Sequence, residues 1–456
     1  MSREGHNSTA EIERPEALLP GAARAVELAR KAGAEWADAS VSLSRGLNVV
    51  VEKSSIKSAE ADWSRHLSIR AYVGGGMGYV SSSGAAASDL AELAEKAVAL
   101  ARSASPDPDF AALPDPQSPS RIPVTFDPKI LSLTADDIIG WTCGNLEAAR
   151  GVRSDAIISG DAAFSAGAGA FASSSGIRIA RNSTSVYLSF FAVVKDGSDV
   201  GSFADHTSAR FLDDFDPSPE LAARITRRAL EYRKARRVPT GRTTLVLGPR
   251  AAFDLVADLV SAASAESIQR RRSLLVDRLD GTIGSELLTV TDDGLIDRGL
   301  YSGPYDAEGA ARRVVTVFDR GRFNAALHNS YTAHKAKTQN TGHGQRTGGI
   351  SSTNLQIARG EHSAAELIGE VEDGVYLEIG SLDPDLTSGD VSTSLDFAFK
   401  IEKGELAYPV ANAMVGGSLL ELLGDLDAVS ADYRDDPGNP KPTIRIRDVQ
   451  ISSEGD

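Results

Sequence analysis

The 456-residue sequence contains little cysteine and histidine, the side chains that most often hold zinc. Cys143 is the only cysteine, so an intrachain disulfide and a cysteine-based metal cage are both excluded. Its neighbours Trp141 and Leu146 predict that the Cys143 thiol is buried as a small hydrophobic group. The seven histidines form neither an HExxH nor an HExxxH motif, which removes the usual helical zinc-binding signature.

An excess of basic charge and a long apolar run are also missing. The formal net charge of -15 argues against general binding to nucleic acid or to an anionic membrane surface, because both need a basic face. No apolar run is long enough to span a bilayer, and the polar residues 1–16 do not form a secretory signal. We therefore expect a cytoplasmic protein without a nucleic-acid or membrane partner.

The clearest local pattern lies between Thr243 and Ser273. A short β-branched run ends at Gly248-Pro249, and apolar residues at helical spacing follow. Asp254 and Asp258 fall on the opposite, polar face of this helix. The stretch predicts a strand, a turn and a helix that faces the core and carries no histidine.

The whole sequence predicts an α+β fold. Helices and antiparallel strands make up the N-terminal domain, and a β-dominated C-terminal domain follows whose sheet can close like a barrel. Seven prolines between Ser103 and Pro128 predict a semi-rigid connector. The expected segments are a disordered N-terminus over 1–20, an α+β module over 21–102, the connector over 103–128, a helix and β-meander over 129–238, and a β-rich domain over 239–456.

One group of residues could carry chemistry or binding. It contains His328, Ser330, Tyr331, His334 and His343, beside a glycine-rich loop. Three imidazoles could bind zinc if the chain folded back, but the spacing fits no common motif and favours surface or partly packed histidines. The group therefore supplies candidate peptide- or partner-binding residues, with no catalytic or metal residue assigned.

A serine nucleophile is a further alternative. Ser330 and Ser351 lie near the histidines in sequence, but no GxSxG elbow is present to place either on a sharp strand-to-helix turn. An independent hydrolase would need such a serine next to a base.

Several segments together resemble the TldD/PmbA family of predicted metallopeptidases. They are residues 32–84, which begin AGAEWADASVSLSRG, and then residues 265–294, 303–344, 367–379, 387–410 and 442–446. Their order and spacing carry the resemblance, since no single motif is decisive. It implies the same α+β layout.

The TldD branch of that family carries HExxxH on the helix after the strand and a late cysteine, and the PmbA or TldE branch lacks HExxxH. Here the two histidine positions read Ala257 and Ala262, and the late segment 433–439 contains no cysteine. The resemblance thus implies a metal-free TldE-like subunit, inactive alone, whose TldD-type partner supplies zinc in a heterodimer or higher assembly that cleaves unfolded or leader peptides. A peptide-binding homodimer without enzymatic activity is the alternative.

Overall fold

A computed structural model describes residues 10–84 and 89–453 and confirms the α+β architecture. Within these ranges, no helix has the length and apolar character needed to cross a membrane. The helices are α1 (Leu19–Lys31), α2 (Leu90–Ser103), α3 (Pro128–Leu131), α4 (Ala135–Val152), α5 (Glu220–Glu231), α6 (Pro249–Ala262), α7 (Ala265–Gln269), α8 (Ser330–Ala336), α9 (Ala364–Gly369) and α10 (Leu419–Gly424).

The N-terminal half is built on a six-stranded antiparallel sheet in the order β3-β2-β1-β4-β5-β6, curled into a half-barrel. Its strands are β1 (Trp36–Glu52), β2 (Ser55–Val73), β3 (Gly76–Ser83), β4 (Ile157–Ser173), β5 (Arg178–Asp196) and β6 (Asp199–Ala209). The strands alternate buried and exposed side chains, as a sheet with one covered face requires. Helices α1 and α2 cover one end of the sheet, and α4 and α5 cover the other.

The C-terminal half contains an eight-stranded and a four-stranded sheet around one core. Its strands are β7 (Gly241–Leu247), β8 (Val290–Asp293), β9 (Val314–Asp319), β10 (Arg322–Phe323), β11 (Leu355–Ile357), β12 (Asp373–Ile379), β13 (Asp390–Ser394), β14 (Phe397–Glu402), β15 (Glu405–Pro409), β16 (Ala413–Ser418), β17 (Leu426–Asp436) and β18 (Asn439–Ser453). The larger sheet has the order β13-β16-β18-β7-β12-β14-β15, and β17 pairs with β18. Only β7 and β12 run parallel within it, and α6 packs against it through its apolar face.

Three local expectations need correction. Residues 1–9 of the expected disordered terminus lie outside the described residues, but the chain is helical from Ala10 to Glu13 and Ile12 is fully buried, so residues 10–20 are ordered. Cys143 is exposed, because α4 turns its opposite side to the core. The eight-stranded sheet is open between β13 and β15 among the described residues, and the half-barrel is the N-terminal sheet.

Candidate functional site

Helix α6 begins directly after β7 at Pro249, as the sequence predicts. On the core-facing side of α6, Leu255, Leu259 and Val260 are buried, whereas Asp254 on the opposite side is exposed. Asp258 is half-buried and accepts a hydrogen bond from the Ser381 hydroxyl at 3.0 Å. Burial raises the pKa of Asp258, and the charge of Asp383 adds to this effect.

The α6 face does not fit a zinc ion. Ala257 and Ala262 have no donor atoms, and Ala262 is buried against the core. Asp258 is the sole acidic group among the six residues 257–262. A catalytic zinc site normally needs three protein ligands, and no group of three or more His, Cys, Asp or Glu side chains placed to hold a metal occurs in residues 10–84 and 89–453.

A cavity of about 410 Å³ lies where the two halves of the chain meet. We call it the junction cavity. It is lined by Arg70 and Tyr72 of β2, by Asp107, Phe110 and Ala112 of the connector, and by Glu308, Ser330, Tyr331 and His334 of the C-terminal half. The Tyr72 ring stacks on Phe110 with 3.9 Å between centroids, and burial raises the pKa of Tyr72 to about 12. The walls of the junction cavity therefore offer a stacked aromatic pair and charges of both signs.

Arg70 and Glu308 of the cavity wall belong to a network of four buried or nearly buried charges. This junction network consists of Asp38, Arg70, Glu308 and Arg346. Arg70 donates to Asp38 Oδ2 from Nη2 at 2.7 Å and from Nε at 3.0 Å, and to Glu308 Oε1 at 3.3 Å. Arg346 donates to the other oxygen of Asp38. Burial alone would lower the pKa of Arg70, but the charges of Asp38 and Glu308 outweigh it and raise the pKa.

Three predicted site residues line the junction cavity. Ser330, at the start of α8, donates its hydroxyl to Glu308 Oε2 at 2.5 Å, which joins it to the junction network. The Tyr331 hydroxyl lies 3.3 Å from Asp107 Oδ1, and burial together with this contact raises its pKa. His334 is exposed at the cavity wall.

The other two predicted residues lie behind the cavity wall. His328 is half-buried, its Nδ1 is 3.2 Å from the Thr332 hydroxyl, and burial lowers its pKa. His343 is buried, with Nε2 3.0 Å from Asp292 Oδ1 and Nδ1 2.9 Å from Thr341 Oγ1. Both imidazoles therefore contact the protein behind the wall, although the buried Nε2 of His343 has no partner with hydrogen-bond geometry among the described residues.

A serine–histidine pair is not formed by the described residues near the cavity. The Ser330 hydroxyl contacts Glu308, and the Ser351 hydroxyl accepts a hydrogen bond from Gln345. A nucleophilic serine needs a base within hydrogen-bond reach, so the geometry does not favour the serine-hydrolase alternative.

The sequence pattern did not identify the junction network. Arg70 alternates with Leu67, Ile69 and Ala71, and alternation alone puts it on the solvent side of a half-buried strand. In the structure that side is covered as well, since Arg70 is 2% exposed. Asp38 offered the one usable signal in the sequence. A charged residue within an apolar strand is rarely buried without a partner, so its position indicates a buried cation nearby.

Two family models match the chain. The model of the PmbA/TldA metallopeptidase C-terminal domain covers residues 240–453, and that of PmbA/TldA metallopeptidase domain 1 covers residues 37–101. The first contains α6 and the cavity residues Glu308 and Ser330, and the second contains Asp38 and Arg70.

Sequence relatives and a solved structure agree with the models. The chain is 25% identical to the metalloprotease PmbA of Escherichia coli O157:H7, over 94% of this chain and 95% of that protein. It is 29% identical to a metalloprotease of Methanocaldococcus jannaschii, over 58% of this chain but only 60% of that relative's length.

The crystal structure of TldE from Thermococcus kodakarensis has the same fold, with a TM-score of 0.85 at 23% identity, over 94% of this chain and 98% of that one. The sequence resemblance is thus confirmed by two matched domains and by a shared fold. The chain belongs to the PmbA/TldD metallopeptidase family.

Proposed function

We propose that this chain is a metal-free, TldE/PmbA-like subunit of a cytoplasmic zinc peptidase whose TldD-type partner holds the metal. The observation that carries the proposal is the α6 face, where Ala257 and Ala262 replace the two histidines that the resemblance assigns to the zinc-bearing branch. A chain without zinc ligands contributes to proteolysis by binding the partner or the substrate. Unfolded or leader peptides are the proposed substrates.

The junction cavity is the proposed peptide contact of this subunit. Its volume of about 410 Å³ is in the range of ordinary ligand pockets. The Tyr72–Phe110 stack can pack against apolar side chains, and Glu308, Lys335 and Asp107 offer polar partners at the wall. Such a mixed surface suits peptides of varied sequence better than one small metabolite.

The subunit role is tested by reconstitution. The purified chain is assayed for zinc by elemental analysis and for cleavage of an unstructured peptide, alone and with the TldD-type protein of the same organism. We expect less than stoichiometric zinc, no cleavage by the chain alone, and cleavage by the mixture that a chelator abolishes. Stoichiometric zinc that is lost in His328→Ala or His343→Ala, but kept in the exposed control His334→Ala, would overturn the proposal.

The same experiment separates the homodimer alternative. Sedimentation of the lone chain and of the mixture measures whether a heteromeric complex forms. A stable homodimer that ignores the TldD-type protein would exclude the subunit role and favour peptide binding without catalysis.

A second pair of variants tests the cavity itself. Ala112→Trp places a large side chain at the cavity wall, on an exposed part of the connector where folding is tolerant. Gln117→Trp adds the same group to the connector outside the cavity lining. We expect Ala112→Trp to lower peptide cleavage by the mixture and Gln117→Trp to leave it unchanged. Equal activity of the two variants would exclude the cavity as the peptide contact.

A further inference from the structure

Three arginines from both halves of the chain converge on one loop, residues 300–305. Arg181 of β5 donates to the Tyr305 carbonyl at 3.1 Å, and Arg312, just before β9, donates to the same oxygen at 3.2 Å. Arg210, which follows β6, donates twice to the Leu300 carbonyl, at 2.9 and 2.7 Å. Because one carbonyl oxygen accepts from two guanidinium groups, Arg181 and Arg312 are direct neighbours.

These three cations have no carboxylate partner among the described residues. None of them takes part in an ion pair within residues 10–84 and 89–453, and their hydrogen bonds go to backbone carbonyls. Asp306 is the acidic group whose charge acts on both Arg181 and Arg312. Its oxygens, however, accept hydrogen bonds from the backbone N–H groups of residues 308, 310 and 344.

The surroundings keep the three charges from being fully hydrated. Nη1 of Arg210 is buried and has no hydrogen-bond partner among the described residues. Arg181 keeps solvent-accessible surface, yet the protein around its guanidinium group lowers its pKa by burial. Burial, and then the charges of Arg181 and Arg312, lower the pKa of Arg210 to about 10. The cluster therefore carries excess positive charge: Asp306 acts on Arg181 and Arg312 and Asp292 acts on Arg312, but neither carboxylate forms an ion pair with the three guanidinium groups among the described residues.

Another arginine group in the same protein shows what compensation looks like. Arg224, Arg250 and Arg434 surround the nearly buried carboxylate of Asp205, at 2.8, 3.5 and 2.6 Å. That group has its anion built into the chain. In the cluster at the 300–305 loop, no carboxylate of the described residues makes such direct contact with the three guanidinium groups.

We propose that Arg181, Arg210 and Arg312 form a binding site for an oxyanion, either the carboxylate of a peptide or a phosphate. Guanidinium groups present forked N–H donors that match the planar or tetrahedral oxygens of these groups. The free Nη1 of Arg210 supplies an unsatisfied donor, and the accessible Arg181 supplies the entry. The site does not depend on the proposed role in proteolysis, because binding to the isolated chain can be measured directly.

The test is isothermal titration calorimetry on the isolated chain with two kinds of probe. One probe is inorganic phosphate, and the other is a pair of identical short peptides that end in a free carboxylate or in an amide. Arg181→Gln and Arg312→Gln each remove one guanidinium. The control Arg242→Gln removes the same charge from an exposed arginine that is paired with Asp448 at 2.8 Å.

We expect saturable binding of phosphate or of the carboxylate peptide, weakened about tenfold by Arg181→Gln or Arg312→Gln and unchanged by Arg242→Gln. Binding of phosphate alone identifies a phosphate site, and preference for the free carboxylate over the amide identifies a peptide site. Absence of binding of both probes at about 10 mM would overturn the proposal. Equal binding by Arg181→Gln and the wild type would also overturn it, provided that thermal unfolding shows the variant to be folded.

Discussion

Arg70→Met tests the junction network most directly. Arg70 is 2% exposed and Asp38 is fully buried, and the variant leaves Asp38 with Arg346 as its remaining cation and Glu308 with the Ser330 hydroxyl. Removal of one partner from a buried ion pair typically costs about 3–5 kcal/mol, because the remaining charge stays away from water. Methionine fills part of the space, so the loss is mainly electrostatic.

The assay is differential scanning calorimetry at neutral pH. For a single cooperative unit of 456 residues, about 3–5 kcal/mol corresponds to a fall of roughly 3–5 °C in the midpoint of unfolding. Because the network joins residues of both halves, we also expect the single transition to separate into two. Arg24→Met serves as the control, since Arg24 forms an exposed pair with Glu27 and its loss should cost less than about 1 kcal/mol.

The result that would refute this reasoning is specific. If Arg70→Met lowers the stability by no more than Arg24→Met, the network does not hold the two halves together. A single unchanged transition would lead to the same conclusion. Arg70→Lys, which keeps the charge but loses the forked geometry, should fall between the wild type and Arg70→Met.

Three further predictions concern stability. Burial, and then the charge of Glu308, raise the pKa of Asp306 to about 6. Because the pKa of Asp306 is higher in the folded state than in the unfolded state, its stabilising contribution is present at acid pH and is lost as pH rises through 6. The wild type should therefore gain about 1.3 kcal/mol over Asp306→Asn between pH 7 and 5 in urea titrations, and an unchanged difference would contradict the assignment. Phe318→Ala, in the C-terminal core, should cost about 3–5 kcal/mol by the same titration, whereas Ile122→Ala, 73% exposed, should cost less than about 0.5 kcal/mol. Gly321→Ala should lower the free energy of unfolding by about 1–3 kcal/mol more than Gly197→Ala. Both glycines have positive φ, but only at Gly321 would a Cβ meet the backbone, 2.3 Å from the Gly284 carbonyl oxygen. Equal losses would show that the loop around Gly321 moves to accept the Cβ.

The sequence predicted the elements whose cause is local. The β7–α6 unit follows from a β-branched run, a Gly-Pro break and helical spacing. The fold class follows from the same patterns. Where a strand is covered on both faces, as around Arg70, alternation no longer tells buried from exposed residues.

The candidate site was only partly accessible to sequence reasoning. The pattern placed Ser330, Tyr331 and His334 in one short stretch, and all three line the junction cavity. It could not bring Asp38 to Arg346, because the pairing depends on how two distant halves of the chain dock. Side chains that meet only through tertiary packing leave no periodic signal in one sequence.

The junction network has a consequence for synthesis of the protein. Arg70 leaves the ribosome 238 residues before its partner Glu308. At ordinary translation rates of 5–20 residues per second, this separation corresponds to roughly 10–50 s. During that interval the emerging N-terminal sheet exposes a charged patch that stays hydrated until the C-terminal half arrives. We therefore expect the junction network to lose its water only when the C-terminal half docks. Chains that stall before Glu308 should keep these charged residues exposed, where the cell's quality-control proteases and chaperones can reach them.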